Sequence, residues 1–390
     1  MKLNTVLPSD SKQIRKVRVL IVAPSLSILG GLALQAKYLM DHLRQEPSFE
    51  VSFVPHDPRL TPPFRFLQSV RYVRTIVTSL IYLVWLALRI PRHDVIHIFS
   101  ASYFSFLLAA TPAILMARFF GKKTVLNYHS GKAEGHLRRW RRTAIPMIRM
   151  ADELVVPSQY LVEVFRRFGL QAHAVANILD LESFRFRERR PLLPHFLSSR
   201  NLYPLYNVAC VLRAFKIIQQ KFPKATLKIA GDGHERLYLE NLARTLKLRN
   251  VDFLGLVAPE KMGKLYNEAH ILLNSSNIDN LPGSILESFA SGMPVVSTCA
   301  GGIPYIVAHE RTGLLVPRND SEAMAASAVK LLESQEFAGN IAHNARQVCQ
   351  SYKWCVVREK WLDVYRRLTE ETVHVRVGLM PSHQQEQSSG

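Results

Sequence analysis

Residues 271–304 place the strongest constraint on how this chain can fold. The apolar run at 271–273 predicts a short buried strand, and a loop of polar residues, Pro and Gly follows it. From residue 284 the apolar side chains recur at the spacing of one helix face, and residues 295–298 predict a second buried strand. Strand, loop, helix and strand in this order predict the crossover unit of a parallel sheet.

Two carboxylates stand eight positions apart in this unit, Asp279 in the loop and Glu287 one turn into the helix. Between them, the backbone amides of Gly283, Ser284 and Ile285 open the helix and are expected to be free to bind an anion. Helical side chains lean toward the amino terminus, so Glu287 can reach hydroxyls attached to that anion. An anion site flanked by two acceptor groups suits a sugar diphosphate. A capping acid and a surface glutamate are the alternative interpretation.

This run resembles the signature of the family-4 retaining glycosyltransferases (glycosyl transferases group 1) with the GT-B fold, in which seven residues separate two acids. Residues 290–296, ASGMPVV, continue the similarity. The resemblance implies that Asp279 faces the donor sugar and that Glu287 holds the nucleotide ribose. The family usually has Glu at the first position, so Asp279 is one methylene shorter but keeps the charge. The resemblance covers nearly the whole chain and is specific from 255 to 317.

The length of 390 residues predicts about two domains. The resemblance implies an α/β GT-B fold in which two Rossmann-like domains have parallel sheets facing a cleft. The predicted divisions are an acceptor-side domain at 1–180, a linker at 181–199, a nucleotide-sugar-binding domain at 200–353, a helix at 354–372 that packs back on the first domain, and a disordered tail at 373–390.

Further site residues follow predicted strands. Gly30 and Gly31 come after the strand at 17–23, and glycines there let backbone approach a phosphate, although the pair alone is unspecific. His129 lies just beyond the strand at 123–128, where parallel sheets bind ligands. A histidine that only packs in a loop is the alternative, but the resemblance implies that His129 lies near the transferred sugar. Gly231, after the strand at 226–230, is a further donor-side candidate.

The resemblance implies that Arg200 binds the donor diphosphate, and a guanidinium suits this task because it presents a bidentate fork to phosphate oxygens. The family usually has a lysine five positions after this arginine, and both residues hold the diphosphate. Here the fifth position is Leu205, which puts donor affinity in question. Arg213 and Lys216 are the cations that can compensate.

The net charge of +19 is concentrated in the first half of the chain. Residues 1–200 contain 29 Lys and Arg against 13 Asp and Glu, a balance of +16. Such a surface favours nucleic acid, an anionic membrane or acidic substrates, with a merely solvated face as the alternative. We exclude nucleic acid because no recognisable module is present. The four cysteines have no metal-ligand spacing and predict a reducing, cytoplasmic setting.

An apolar run at 76–90 is flanked by arginines, and it is shorter than the roughly 20 residues that a spanning helix needs. We therefore predict a buried domain helix, with a helix in a membrane interface as the alternative. The second apolar segment, at 104–119, is predicted to be core.

The combined prediction is a retaining, metal-independent glycosyltransferase without a cofactor. It would take a nucleotide-diphosphate sugar as co-substrate and transfer the sugar to a glycan or lipid-linked acceptor. The predicted location is the cytoplasm, with peripheral attachment to the anionic inner face of the membrane. Two alternatives remain open, a nucleotide-sugar epimerase of the GT-B fold and a catalytically weak nucleotide-sugar-binding protein.

Overall fold

Two parallel six-stranded sheets form the framework of the computed structural model, which describes residues 15–26, 30–58, 71–180 and 182–377. The predicted α/β fold with two Rossmann-like domains is confirmed. The strand order in the first sheet is β2-β1-β3-β4-β5-β6. The elements of the first domain are β1 (Val17–Ala23), α1 (Gly31–Leu43), β2 (Phe49–Pro55), α2 (Arg71–Arg89), β3 (Val95–Ser100), α3 (Thr111–Phe119), β4 (Lys123–Tyr128), α4 (Ala133–Arg139), α5 (Arg141–Arg149), β5 (Glu153–Val156), α6 (Gln159–Arg167) and β6 (His173–Ala174).

The second sheet is also parallel, and its strand order is β12-β11-β10-β7-β8-β9. Its elements are β7 (His195–Ser199), α7 (Val208–Lys221), β8 (Thr226–Ala230), α8 (Arg236–Thr245), β9 (Val251–Gly255), α9 (Pro259–Glu268), β10 (Ile271–Asn274), α10 (Gly283–Ala290), β11 (Val295–Thr298), β12 (Leu314–Val316), α11 (Ser321–Glu333), α12 (Gln335–Cys349) and α13 (Trp354–Val377).

The central strands are buried along their whole length because helices cover both faces of each sheet. All six residues of β3 are buried, as are all four of β10 and of β11. In the first domain, α2, α3 and α6 share one hydrophobic core with the sheet, whereas α1 and α13 share the core on the other face. The loops at the carboxyl ends of the strands are therefore held by rigid layers.

The second domain begins before the predicted boundary at residue 200. Residues 195–199 were assigned to the linker, but they form β7, which lies between β10 and β8 in the second sheet. Phe196 and Leu197 are buried there. The prediction failed because Arg and Pro residues precede this short strand and mask its two-residue apolar signal.

The segment before β7 is anchored by a buried arginine. Arg189 donates hydrogen bonds to the carbonyl oxygens of Tyr266, Ala269 and Ser291 at 2.6–2.7 Å. Burial lowers the pKa of Arg189 to about 9. A buried guanidinium needs such acceptors. Its hydrogen bonds therefore hold the connection between the domains against the second domain.

Helix α13 follows the second domain and packs on the first. Trp361 and Tyr365 are buried in the core that also contains β1 and α1, and Nη2 of Arg358 lies 2.7 Å from Oε2 of Glu46. The helix runs to Val377, five residues past the predicted end at 372. The rest of the predicted tail, residues 378–390, lies outside the described residues.

The apolar run at 76–90 lies in α2 and in the first residue of the short 3-10 helix (Ile90–Arg92) that follows it, and the prediction of a buried domain helix is wrong. Tyr82, Leu86 and Ile90 reach the core, whereas the opposite face is exposed, with Ile76 at 62%. By length and composition the helical stretch at 73–92 is apolar enough to span a membrane. Only 17% of its 18-residue apolar window is buried, which distinguishes it from a core helix. Composition identifies such a run as apolar, but only the packing shows how many of its faces have neighbours.

The segment at 104–119 is also only partly core. It forms a π-helical turn at Phe106–Ala110 that leads into α3, and Phe106 and Ile114 are buried. Phe104 and Phe119 are 68% and 83% exposed. The prediction that this segment is core therefore holds for one face of the helix and is wrong for the other.

The two domains meet at the carboxyl ends of their strands. Oγ of Ser158, which caps α6 by accepting the amide of Leu161, also donates to Oδ1 of Asn280 in the second domain. The Tyr305 hydroxyl donates to Oε2 of Glu163 at 2.6 Å. Both domains therefore contribute polar groups to one interface next to the predicted site residues.

Candidate active site

Arg200 and Asp279 form an ion pair at the carboxyl edge of the second sheet. Arg200 directly follows β7, and Asp279 lies in the loop after β10, which is the hydrogen-bonded neighbour of β7. Parallel strands end at one edge, so groups 79 positions apart meet where such sheets bind ligands. Their side chains are 13% and 10% exposed, which strengthens the attraction relative to an open surface.

Two glycines let neighbouring backbone approach this pair closely. Gly231 has a φ of +136°, and a Cβ there would lie 2.1 Å from the carbonyl oxygen of Arg200. Gly301 has a φ of +54°, and a Cβ there would lie 2.0 Å from the carbonyl oxygen of Asp279. A side chain at either position would displace the residue beside it. The structure therefore gives Gly231 a role in placing Arg200, and direct donor binding by Gly231 remains a prediction.

The amino terminus of α10 supplies the predicted anion site, with one correction. Ile285 was expected to offer a free amide, but that amide donates to the carbonyl oxygen of Pro282 at 3.2 Å, which closes the first turn of the helix. Among the described residues, the amides of Gly283 and Ser284 make no hydrogen bond. Oγ of Ser284 is also buried without a partner there. Three donors at one helix terminus favour an anion.

Glu287 lies one turn into α10 and reaches back over these donors. Its Oε1 is 3.5 Å from the position that a Cβ on Gly283 would occupy. Burial raises the pKa of Glu287, and the nearby Tyr266 hydroxyl and Arg200 guanidinium offset part of that rise. The Tyr266 hydroxyl is itself buried beside this carboxyl group. The carboxyl group is therefore kept from water beside two groups that can hydrogen-bond a ligand.

His129 belongs to a chain of polar side chains that crosses the first domain. Its Nε2 lies 2.7 Å from Oδ1 of Asn127, and Nδ2 of Asn127 lies 3.1 Å from Nε2 of His97. Nδ1 of His97 is 2.7 Å from the Tyr365 hydroxyl. If the Asn127 amide donates to His97, His129 carries its proton on Nε2 and His97 carries its proton on Nδ1.

This proton arrangement leaves Nδ1 of His129 as an acceptor. Burial lowers the pKa of His129 to about 3 and that of His97 to about 3. Both rings are therefore neutral near pH 7, and His129 can accept or orient a hydroxyl without carrying a positive charge.

The loop after His129 touches the loop that contains Asp279. A Cβ on Gly131 would lie 3.2 Å from the backbone carbonyl carbon of Asp279. The histidine loop of the first domain and the acidic loop of the second are thus brought together. This places His129 on the other side of the cleft from Arg200.

Gly30 and Gly31 lie at the start of α1, where Gly30 is the N-cap residue and both are exposed. A Cβ at either position would meet nothing within 4 Å. Burial raises the pKa of Tyr38, on the same helix, to about 12, and Asp180 and Glu287 add to that rise. The middle of α1, at Tyr38, therefore lies close enough to Asp180 and Glu287 to feel their charge. Residues 27–29 of the predicted glycine loop lie outside the described residues.

Leu205, at the position of the usual lysine, contributes its backbone. Its carbonyl oxygen accepts the amide of Asn277 at 2.8 Å and so holds the loop that leads to Asp279. The ring of Tyr206 lies 4.1 Å from the Arg200 guanidinium carbon. Of the two cations named as substitutes, Arg213 is exposed on α7, and it forms no ion pair with Asp279 among the described residues.

Sequence reasoning missed Asn127, Tyr206, Tyr266 and the contact between Ser158 and Asn280. The period of two along a strand could have identified Asn127, because residues 127 and 129 point to the same face. Ser158 and Asn280 are 122 positions apart, so no local pattern marks their contact. Tyr206 and Tyr266 lie 6 and 21 positions from Arg200 and Glu287, the site residues that they approach, and nothing in their local sequence indicates these contacts.

The two halves of the chain match two glycosyltransferase family models. Residues 182–348 match the model described as glycosyl transferases group 1, and residues 29–183 match the model described as Glycosyltransferase Family 4. The chain belongs to this family of GT-B glycosyltransferases.

Named relatives agree with this assignment. An uncharacterized glycosyltransferase of Methanocaldococcus jannaschii is 32% identical over 158 residues, 40% of this chain and 40% of that protein. An uncharacterized glycosyltransferase of Haemophilus influenzae is 26% identical over 167 residues, 42% of this chain and 47% of that protein. The chain thus spans less than half the length of these two relatives.

A Campylobacter jejuni alpha-1,4-N-acetyl-D-galactosaminyltransferase matches over more of its length. It is named for the acceptor GalNAc-alpha-(1->4)-GalNAc-alpha-(1->3)-diNAcBac-PP-undecaprenol. It is 27% identical over 271 residues, 67% of this chain and 74% of that protein.

Solved structures share the fold. Anabaena HepE in complex with UDP superposes with a TM-score of 0.71 at 17% identity, over 90% of this chain and 100% of that chain. Sucrose-phosphate synthase of Thermosynechococcus elongatus gives a TM-score of 0.72 at 17% identity, over 91% and 100%. At such identities the likeness concerns the fold alone.

Proposed function

We propose that this protein is a retaining, metal-independent glycosyltransferase that moves a sugar from a nucleotide-diphosphate sugar to a glycan or lipid-linked acceptor. The observation that carries the proposal is the placement of Arg200, the free amides of α10 and Glu287 around one space, opposite His129. Support for the donor class also comes from HepE, which was solved in complex with UDP and with UDP-glucose.

In the proposed reaction, Arg200 and the amides of Gly283 and Ser284 bind the diphosphate. Glu287 accepts hydrogen bonds from the ribose hydroxyls, and Asp279 faces the transferred sugar. The bond between the anomeric carbon and the diphosphate oxygen breaks, and the bond to the acceptor oxygen forms on the same face. The acceptor proton leaves with the diphosphate. Preorganised positive groups at the leaving diphosphate stabilise the transition state.

The proposal includes no resident metal ion, because backbone amides and a guanidinium would neutralise the negative charge of the diphosphate. Among the described residues, no three His, Cys, Asp or Glu side chains lie close enough together to hold a metal ion. The experiment is a thermal-shift screen of nucleotide sugars, followed by transfer assays with the stabilising donor in the presence of EDTA. Proton NMR of the product should show the anomeric configuration of the donor. Inversion at the anomeric carbon, or activity abolished by EDTA, would contradict the proposal.

A catalytically weak nucleotide-sugar-binding protein is the second candidate. Two observations favour it: Leu205 replaces the usual lysine, and the guanidinium of Arg200 is already paired with Asp279. Calorimetry that shows donor binding, with no turnover over a broad acceptor panel, would support this candidate. Epimerisation of the donor sugar in the absence of acceptor would instead support the GT-B epimerase.

We propose further that the acceptor is held at the anionic inner face of the membrane, with the protein attached peripherally in the cytoplasm. The balance of +16 in residues 1–200 supports this location, as does the PP-undecaprenol in the name of the Campylobacter jejuni relative. The four arginines at 138, 139, 141 and 142 are all exposed. Their electrostatic attraction is screened within roughly 8 Å at physiological salt. Flotation with anionic and neutral liposomes across a salt series tests this location, and no flotation at low salt would contradict it.

A further inference from the structure

The exposed face of α2 is apolar, which is the reverse of the usual pattern for a surface helix. Its exposed residues Ile76, Leu80, Val84 and Leu88 follow one another at four-residue spacing and are 56–62% exposed. The stripe continues at 73 and 83, so it runs for about 22 Å along the helix at 1.5 Å per residue. A continuous apolar stripe of this length marks a contact surface.

A second exposed apolar stripe lies on the neighbouring segment at 104–119. It consists of Phe104, Leu107, Leu108, Leu115 and Phe119. The Tyr82 hydroxyl of α2 donates to the carbonyl oxygen of Ala109 at 2.7 Å, so the two elements lie side by side. Both bury their inner faces in the same core, and their outer faces therefore point away from the same side of the first sheet. We call the two stripes together the apolar platform.

The charge around the apolar platform fits an anionic partner. Between Asp57 and Glu134 the sequence contains ten Lys and Arg residues and a single acid, Asp94. That acid is paired with Arg18, to which it is bound at 2.9 Å. A second copy of this chain would bring the same cations into contact, and like charges oppose that contact.

One end of the apolar platform lies beside the candidate acceptor side of the cleft. Oγ of Ser102, two residues before Phe104, lies 2.7 Å from Oγ of Ser130, and Ser130 directly follows His129. The ring of Phe104 also packs edge-on against Trp140, which stands between the arginine pairs 138–139 and 141–142. The apolar platform, the exposed arginines and the loop that carries His129 are therefore neighbours on the first domain.

We propose that the apolar platform inserts into an anionic lipid bilayer, with α2 lying in the plane of the interface. The inserted helix buries apolar side chains at the level where acyl chains begin, while arginines at its ends contact headgroup phosphates. This inference rests on the proposed function and deepens it. The insertion turns the cleft opening near Phe104 and His129 toward the membrane, where an acceptor sugar on a lipid carrier can reach the site without leaving the bilayer.

Flotation with the full-length protein tests the insertion. The vesicles are phosphatidylcholine alone or with a quarter phosphatidylglycerol, at 0.1 and 1 M NaCl. Wild type should float with anionic vesicles, and a fraction should remain bound at 1 M NaCl. The triple variant Ile76→Ser, Leu80→Ser and Val84→Ser should lose at least tenfold in partitioning and all binding at high salt. A matched control, Leu193→Ser, Ile217→Ser and Leu237→Ser, removes three exposed apolar residues from the second domain and the segment that leads into it, and it should bind like wild type.

A second measurement reports insertion directly. Trp85 on α2 is 39% exposed, and its fluorescence should be quenched by lipids brominated on their acyl chains, with the quenching lost in Trp85→Phe. Binding of UDP, GDP and ADP in lipid-free buffer, measured by calorimetry, is the separate readout of the proposed function and should be equal in wild type and the Ser triple. Equal vesicle binding by the Ser triple and wild type would overturn insertion. So would a dimer of the wild type that the Ser triple dissociates, because the surface would then join two copies.

Discussion

Nε2 of His129 donates a hydrogen bond to Oδ1 of Asn127 at 2.7 Å, and this contact connects the cleft to the C-terminal helix. Through Asn127 and His97 the chain of polar groups ends at the Tyr365 hydroxyl. Helix α13 therefore helps to set which nitrogen of His129 carries the proton. The packing of α13 on the first domain is thereby linked to the protonation of His129.

The first prediction concerns Tyr365→Phe, which removes the hydroxyl at the end of this chain and keeps the ring in the core. His97 should lose its fixed tautomer, and the kcat of transfer should fall about two- to tenfold, in line with one net hydrogen bond. The KM for the donor should stay constant, because Arg200 and Glu287 are untouched. Steady-state kinetics and nitrogen NMR of the histidine tautomers check this. An unchanged His129 tautomer would show that the chain does not position that ring.

The second prediction concerns the diphosphate. Arg200→Ala should weaken binding of both the nucleoside diphosphate and the whole donor by about 10- to 100-fold, since a hydrogen bond to a charged group is worth about 1.5–3 kcal/mol. Arg200→Lys should recover only part of the loss, because an ammonium has no bidentate fork. Calorimetry measures both affinities. If Arg200→Ala binds the diphosphate as wild type does, the diphosphate is held elsewhere.

The third prediction restores the cation that the sequence lacks. Leu205→Lys should raise affinity for the nucleoside diphosphate, with Leu205→Met as the control for size and flexibility. The Leu205 carbonyl oxygen holds Asn277 through the backbone, so the loop should stay in place in both variants. A lysine variant that binds no better than the methionine variant would mean that Arg200 and the helix amides already suffice.

The fourth prediction links binding to pH and stability through Glu287. Glu287→Gln should weaken donor binding by about tenfold or more, because the ribose loses a charged acceptor. Burial raises the pKa of Glu287 above its ordinary value of 4.5, so the charged form costs more in the folded protein than in the unfolded chain. The resulting contribution to stability is present below pH 4.5 and is lost as the pH rises.

Without donor, Glu287→Gln should therefore be more stable than wild type at pH 7–8 and equal to it near pH 4. Urea unfolding at the two pH values measures the difference. A variant that is less stable at pH 8 would show that the carboxylate is stabilised in the fold.

The fifth prediction tests the close approach at Gly301. Gly301→Ala places a methyl group against the Asp279 carbonyl and forces an unfavourable φ, so Asp279 should shift and transfer should fall at least tenfold. Gly339→Ala, in α12, is the control. A Cβ at this position would have only a side-chain nitrogen of Arg190 near it, at 3.9 Å. This variant should keep wild-type activity and gain about 0.5–1 kcal/mol of stability. Full activity in Gly301→Ala would show that the Asp279 loop tolerates displacement.

The sequence by itself determined the α/β class and the family, because both depend on short-range patterns. Apolar runs with loop signals between them mark the buried strands. The acids at 279 and 287 lie in one continuous strand-loop-helix unit. The same local order placed His129 at the end of a strand, whereas the strand before Arg200 was found only in the structure.

Only the tertiary structure decided which residues meet and which apolar faces stay uncovered. The pairing of Arg200 with Asp279 depends on β7 lying next to β10, and the contact between His97 and Tyr365 joins residues 268 positions apart. The exposure of α2 was decided in the same way. Side-chain composition sets how apolar a helix is, but the packing of its neighbours sets which face water reaches, and this is why a helix predicted to be buried presents Ile76 and Leu80 to the surroundings.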